Sequence, residues 1–167
     1  MKKRYQPEEI EKKWLDWWEK KDFFSPQAGR KKETFSMVMP PPNITGTLHM
    51  GHAFDIILQD IIVRFKRMQG YETLWIPGTD HAGIATQNVV EKSLVREGLT
   101  RQKLGREKFL ERVWQWKEKY GERIFFQLRN LGASCSWKDK SFTMDKKHSL
   151  AVRKVFVELY QQGYICL

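Results

Sequence analysis

Three consecutive prolines, Pro40 to Pro42, end an alternating apolar run in which Phe35, Met37 and Met39 fall on one side. Proline has no N–H to give to a sheet ladder, so a strand over 34–39 has to stop there. Gly46 then allows a tight turn, and a long apolar stretch predicts a helix over 49–69. Ala53, Phe54, Ile56, Ile57, Leu58, Ile61, Ile62, Val63 and Phe65 leave that helix little polar face. Such a helix is expected to be packed on several sides, as when layered on a sheet. Lys66 and Arg67 suit its last turn and Gly70 its stop. Thr73–Ile76 reads as a second strand, halted by Pro77-Gly78. Strand, helix, strand with so long a connection predicts a parallel crossover, whose phosphate sites lie at the carboxyl ends of the strands. The fold class expected is α/β, helix-rich, with parallel strands.

The rest of the chain reads as helices. Pro7 opens an amphipathic one to Lys21, with Ile10, Trp14, Trp17 and Trp18 on one face, suited to packing on a core or to stacking on bases. Phe23–Lys32 is an irregular polar connection. Further helices are expected over Ala82–Glu97, over Gly105–Leu131, and from a cap at Asp145 to a stop at Gly163. The last carries an apolar stripe of Ala151, Val152, Val155, Phe156, Leu159 and Tyr160. Two strands are too few for a stable parallel sheet, and a well-formed apolar helix runs into Tyr-Ile-Cys-Leu. The chain therefore reads as the truncated N-terminal piece of a longer protein. Residues 1–33 form a helical extension and 34–167 the first half of a larger α/β domain.

Charge is unevenly placed. Residues 34–95 carry 4 basic and 5 acidic side chains, whereas 96–147 carry 14 and 7. The central segment is near neutral, and the basic excess on its flanks suits an acidic partner or a solvated helical surface. Cys135 and Cys166 are too far apart for a Cys-x-x-Cys metal or redox pair. With no secretory signal and no apolar run near the roughly 20 residues of a membrane span, a cytoplasmic protein without a membrane partner is expected.

Two candidate sites stand out. His49 and His52, three apart at a helix start, would face the same way beside unpaired backbone N–H groups, a natural seat for phosphate. Core packing is a second reading of the pair. A metal site with Asp80 and His81 is a third, although it leaves the proline turn and Gly51 unexplained, and no metal is assigned. Asp80 follows Pro77-Gly78-Thr79 at a strand end, where a carboxylate can pair with a substrate ammonium or cap a helix beginning at Ala82.

The His-Met-Gly-His tetrad at 49–52 resembles the first signature of the class I aminoacyl-tRNA synthetases. Its setting, Pro-Pro-Pro-Asn-Ile-Thr-Gly-Thr-Leu-His-Met-Gly-His-Ala, looks most like the valyl members of that family. So does the block Trp75-Ile-Pro-Gly-Thr-Asp-His-Ala-Gly-Ile-Ala-Thr-Gln87. The resemblance runs from about Gln6 to Ile165. It implies the N-terminal part of a Rossmann-like nucleotide-binding fold, ending before an editing insertion. It also implies ATP-dependent activation of valine to valyl-adenylate, with Mg²⁺, and transfer to tRNA(Val). On this resemblance His49 and His52 are catalytic donors to the triphosphate. Asn43, Thr47 and Gly51 complete the ATP-binding set, while Pro41, Pro42 and Asp80 bind the amino acid. The family's second signature, Lys-Met-Ser-Lys-Ser, does not occur in the 167 residues, so the isolated chain is expected to be weakly active or inactive. A non-catalytic synthetase-derived fragment that binds RNA or protein is the alternative. A small adenylyltransferase sharing only the His-x-Gly-His logic is disfavoured by the second block and the incomplete sheet.

Overall fold

The computed structural model of the protein describes residues 4–27 and 32–166. The middle of the connection expected over Phe23–Lys32, the basic start at 1–3 and Leu167 lie outside those residues. The frame is a parallel crossover. Strand β1 (Thr34–Val38) pairs with β2 (Glu72–Ile76), Thr34 opposite Glu72 and Val38 opposite Ile76, and helix α2 (Met50–Met68) connects them. Phe35, Met37 and Met39 turn inward, as the alternation predicts, and Met39 is wholly buried.

Pro77 separates β2 from a two-residue strand that sequence reading missed, β3 (Gly78–Thr79). It pairs in parallel with β4 (Ser141–Phe142), and Asn43 bridges to Asp80 on the other side. Helix α1 (Pro7–Lys21) precedes this frame, while α3 (Ile84–Arg96), α4 (Arg101–Asn130) and α5 (Lys146–Gln161) follow β3 in that order. A first turn capped by Thr100, whose hydroxyl accepts from the Lys103 N–H, precedes a kink at Gly105, and the long part of α4 runs on from there as expected. Asp145 caps α5 as expected, accepting from the His148 N–H.

Met39, Ile44, Ile56, Val63, Trp75, Ile124 and Leu128 form the main core, and Val90, Leu94 and Phe109 a second one between α3 and α4. Two helices depart from expectation. Only Ile56 and Val63 of α2 are buried, while Phe54, Ile61 and Phe65 are more than half exposed. A sheet this narrow covers one stripe of a helix, not several sides. The apolar stripe of α5 is likewise exposed, with no buried residue. In α1, Trp18 is half-buried beside Phe24 and Arg64, but Ile10, Trp14 and Trp17 remain exposed.

A polar knot ties α2 to the turn after α4. The Asp60 carboxylate accepts from the Arg64 Nε at 2.7 Å, from the Ser134 N–H at 2.9 Å and from the Ser134 hydroxyl. Arg64 donates to the Gly132 carbonyl at 2.8 Å, and Arg67 reaches the Ser134 hydroxyl and carbonyl. Burial pulls the Arg67 guanidinium down to about 10, with Asp60 opposing the shift. It therefore remains charged at neutral pH. Next to this turn Cys135 is buried and its thiol is pushed up to about 12 by desolvation, which leaves it inert, and Cys166 is an exposed free thiol. Removing Asp60 takes the acceptor from the Arg64 Nε and from the Ser134 N–H and hydroxyl. Asp60→Ala is expected to lower stability by about 3 kcal/mol, read by urea unfolding monitored by tryptophan fluorescence. A loss below about 1 kcal/mol would show that the knot is replaceable by water.

Candidate active site

Pro40 to Pro42 carry the chain past the end of the ladder without donors. Met39 N–H bonds the Ile76 carbonyl at 3.0 Å, and pairing resumes only where the Asp80 N–H meets the Pro42 carbonyl at 2.8 Å. Ile44 N–H then returns to the Asp80 carbonyl at 3.0 Å. Pro42, Asn43 and Asp80 are thus brought together at the carboxyl ends of the strands, with Pro41 exposed beside them.

Helix α4 pins the loop that follows. The Trp116 indole donates to the Ile44 carbonyl at 2.8 Å, its ring stacked on Tyr120. About three turns further along α4 the Gln127 carboxamide grips Leu48 twice, accepting from its N–H at 2.9 Å and donating to its carbonyl at 3.3 Å. Both ends of the 44–48 loop are fixed, and His49 follows directly. Thr47 is exposed on that loop. Gly46 does not have positive φ and nothing crowds it, so the turn there does not require glycine.

His49 is not inside α2 as expected but caps it. Its Nδ1 accepts from the Gly51 N–H at 3.1 Å, and the His52 Nδ1 accepts from the His49 N–H at 3.3 Å. The rings lie 4.0 Å apart, centroid to centroid, tilted by 50°. With each Nδ1 accepting, the neutral rings carry their protons on Nε2 and present two N–H donors away from the helix. Gly51 leaves room for this cap: a Cβ there would meet the His49 Cε1 at 3.0 Å, close enough that the ring would have to give by a few tenths of an ångström. Its smallness serves the imidazole before any nucleotide. The His49–His52 pair and the Asn43–Asp80 pair are joined through the pinned 44–48 loop.

The Asp80 carboxylate does not cap α3, whose N-cap is Gly83 with no side-chain bond. Its Oδ1 instead accepts from the Ala82 N–H at 2.8 Å and from the Thr143 hydroxyl at 3.2 Å. Thr143 also accepts from the His81 N–H at 3.0 Å and touches the His81 Nδ1 at 2.6 Å. Oδ2 has no partner among the described residues and is free to accept from a ligand. Ala82 holds this turn at φ 51°, an uncommon conformation for alanine. Gln127 and Thr143 are the two site residues that sequence reading missed. Gln127 gives no signal beyond a polar residue in a helical stripe, and Thr143 none beyond a short β-prone run.

The described residues contain no group of three His, Cys, Asp or Glu side chains able to hold a metal ion, and none of their helices is long and apolar enough to cross a membrane.

Burial holds the His52 imidazole below its ordinary value, with the His49 charge adding and Asp55 opposing. The unfolded chain then binds this proton more readily than the folded one. Its stabilising contribution is complete above pH 6.5 and is lost as pH falls towards the folded value. Protonation would also end the Nδ1 acceptance. His52 is therefore expected to titrate below 6.5 by two-dimensional NMR and to move up in His49→Gln, which removes the neighbouring charge. An unmoved value would show that the two rings are not coupled.

Residues 13–167 match the family model described as tRNA synthetases class I (I, L, M and V). The valine–tRNA ligase of Carboxydothermus hydrogenoformans is 60% identical over 161 residues, which cover 96% of this chain and 18% of the relative. That of Thermotoga maritima is 58% identical over 163 residues, 97% of this chain and 19% of the relative. The LeuRS chain of a LeuRS-tRNA-LeuAMS ternary complex from Agrobacterium radiobacter K84 superposes with a TM-score of 0.77 at 22% identity. It covers 96% of this chain and 19% of that one. The chain thus spans about 18% of the length of the curated relatives it matches.

Proposed function

The chain belongs to the class I tRNA synthetases of the isoleucine, leucine, methionine and valine group, and on that footing we propose that it is the nucleotide- and amino-acid-binding part of a cytoplasmic valine–tRNA ligase. In this reading residues 34–167 begin the catalytic domain and 1–33 are an extension to it. The reaction joins the valine carboxylate to the α-phosphorus of ATP with loss of pyrophosphate, and the valyl group then passes to tRNA(Val). The observation that carries the reading is the reciprocal imidazole cap, which aims two Nε2–H donors outward from one pinned helix start.

As the carboxylate oxygen attacks, negative charge builds on the phosphate oxygens. Donors already fixed in place stabilise that charge without reorganising. His49 and His52 serve as these donors, and burial keeps the His52 ring resistant to protonation. Asn43 and Thr47, both exposed next to the cap, hydrogen-bond the nucleotide, and the flat surface at Gly51 admits it. The free Oδ2 of Asp80 receives the valine ammonium, and Thr143 holds the opposite oxygen so that Oδ2 stays aimed. Pro41 and Pro42 wall the same substrate. Mg²⁺ supplies countercharge to the triphosphate when ATP binds. The described residues offer it no ligand cluster of their own, so it would enter with the nucleotide.

The test is valine-dependent pyrophosphate exchange in a full-length relative whose corresponding segment is replaced by this chain. His49→Ala and His52→Ala are each expected to slow exchange by roughly 10²–10³-fold while the valine KM changes far less. Asparagine at either position, which keeps an N–H, should lose less. Full exchange in the double alanine variant would sink the assignment. Unfolding without a selective kinetic defect would instead make the pair structural.

A further inference from the structure

Beside the start of α4 lies a cleft of about 380 Å³ lined by Gln87, Arg101, Gln102, Gly105, Arg106 and Phe109. Its chemistry is one-sided: two guanidiniums and two carboxamides converge on it, and no carboxylate lines it. Arg101 lies 5.0 Å above the buried Phe109 ring and reaches Glu91 at 3.2 Å. The side chains of Arg106, Gln87 and Gln102 make no hydrogen bond or ion pair among the described residues. In an unbroken helix, residues five apart point about 140° away from each other. Gly105 breaks the helix between the two arginines, at φ 75° and ψ 169°, and both line one cleft. That positive φ favours glycine.

The surroundings narrow the choice of ligand. Residues 96–147 hold twice as many basic as acidic side chains, 14 against 7. Guanidinium forks with amide donors match the oxygens of a phosphate. Gln87, with Leu110, also walls a pocket of about 120 Å³ that contains Ile44 and His81. The cleft thus lies beside the pocket that His81 lines, next to the turn on which an RNA end has to arrive if the chain is a synthetase. We propose that this cleft seats a backbone phosphate of RNA and leads that strand towards the Asp80–His81 turn. The identity of the RNA as tRNA rests on the synthetase reading, whereas the phosphate seat does not.

The experiment uses this chain and a tRNA(Val) transcript, with fluorescence anisotropy over a KCl series. Each phosphate contact adds close to one unit to the slope of log K against log salt. Arg106→Gln and Arg101→Gln are each expected to weaken binding several-fold and to flatten the slope by about one unit. Arg106→Lys, keeping the charge but not the fork, should keep the slope and still bind less tightly. Arg153→Gln on α5 should match the parent chain. Inorganic phosphate, titrated by NMR, should shift the Gly105 and Arg106 amides. Absence of RNA binding at low salt, or an unchanged slope in Arg106→Gln, would overturn the proposal. Phosphate shifts at those amides without any change of RNA slope would leave a small-anion seat and overturn the RNA assignment. Calorimetry with a non-hydrolysable valyl-adenylate analogue separates the two readings. Arg106-dependent RNA binding without Asp80-dependent analogue binding supports the cleft and removes the synthetase reading, and the reverse pattern removes the cleft alone.

Discussion

Proline's missing N–H determines where this fold can hold a substrate. The β2–β3 run is one nearly continuous strand with Pro77 at its middle. On its first side the ladder with β1 lasts until Met39, lapses across three residues that cannot donate, and returns at Pro42 and Ile44 through Asp80. On its other side the Trp75 carbonyl accepts from the Ser136 N–H at 2.8 Å, the Pro77 carbonyl from the Ser141 N–H at 3.0 Å and the Thr79 carbonyl from the Thr143 N–H at 3.2 Å. Asp80 therefore stands where both neighbours converge. The interruption in one ladder and the continuation of the other through Thr79 place the carboxylate at the common end. A donor-competent residue at 41 would allow the first ladder to close over the same ground.

Holding that arrangement falls to α4, which reaches the loop through two polar side chains set in an apolar stripe. Trp116 and Gln127 each satisfy a backbone group of the 44–48 segment that the prolines had taken out of the sheet. Lost ladder bonds are thus replaced by side-chain bonds from a helix more than 70 residues away. The polar knot of Asp60, Arg64, Arg67 and Ser134 anchors the far end of the same helix through the turn at 132–136. Position at the site depends on both anchors, since a shift of α4 would carry Ile44 and Leu48 with it.

What was legible in the sequence is what is encoded locally. The strand, proline stop and helix start lie within about 20 residues, and the alternation of Phe35, Met37 and Met39 marks the buried face correctly. The parallel pairing of β1 with β2 followed from the length of the crossover. Sequence reading failed where the cause is distant. The strands β3 and β4 are two residues each, too short to show any periodicity, and exist only because 78–79 and 141–142 meet. Thr143 acquires its role from the same meeting. The apolar residues of α2 were read as packed on several sides because periodicity reports a capacity for burial, and the stripe of α5 has the same capacity. Exposure of Phe54, Ile61, Phe65 and Phe156 shows that the narrow sheet leaves that capacity unfilled within the described residues.

The imidazole cap also changes how a phosphate would be recognised here. At an ordinary helix start the unpaired backbone N–H groups meet the anion directly. In this chain the Gly51 and His49 N–H groups are already bound by ring nitrogens. Recognition passes outward to two Nε2–H groups, one ring beyond the backbone. That relay fixes each tautomer, because the backbone N–H can be accepted only by an unprotonated Nδ1. It also favours glycine at 51, where a methyl group would press on the His49 ring. The tetrad is therefore a mechanical unit in which His49 orients α2, His52 orients His49, and Gly51 makes room for both. Its ring orientations are set by the chain's own backbone N–H groups, which is the preorganisation that charge stabilisation in a transition state would require.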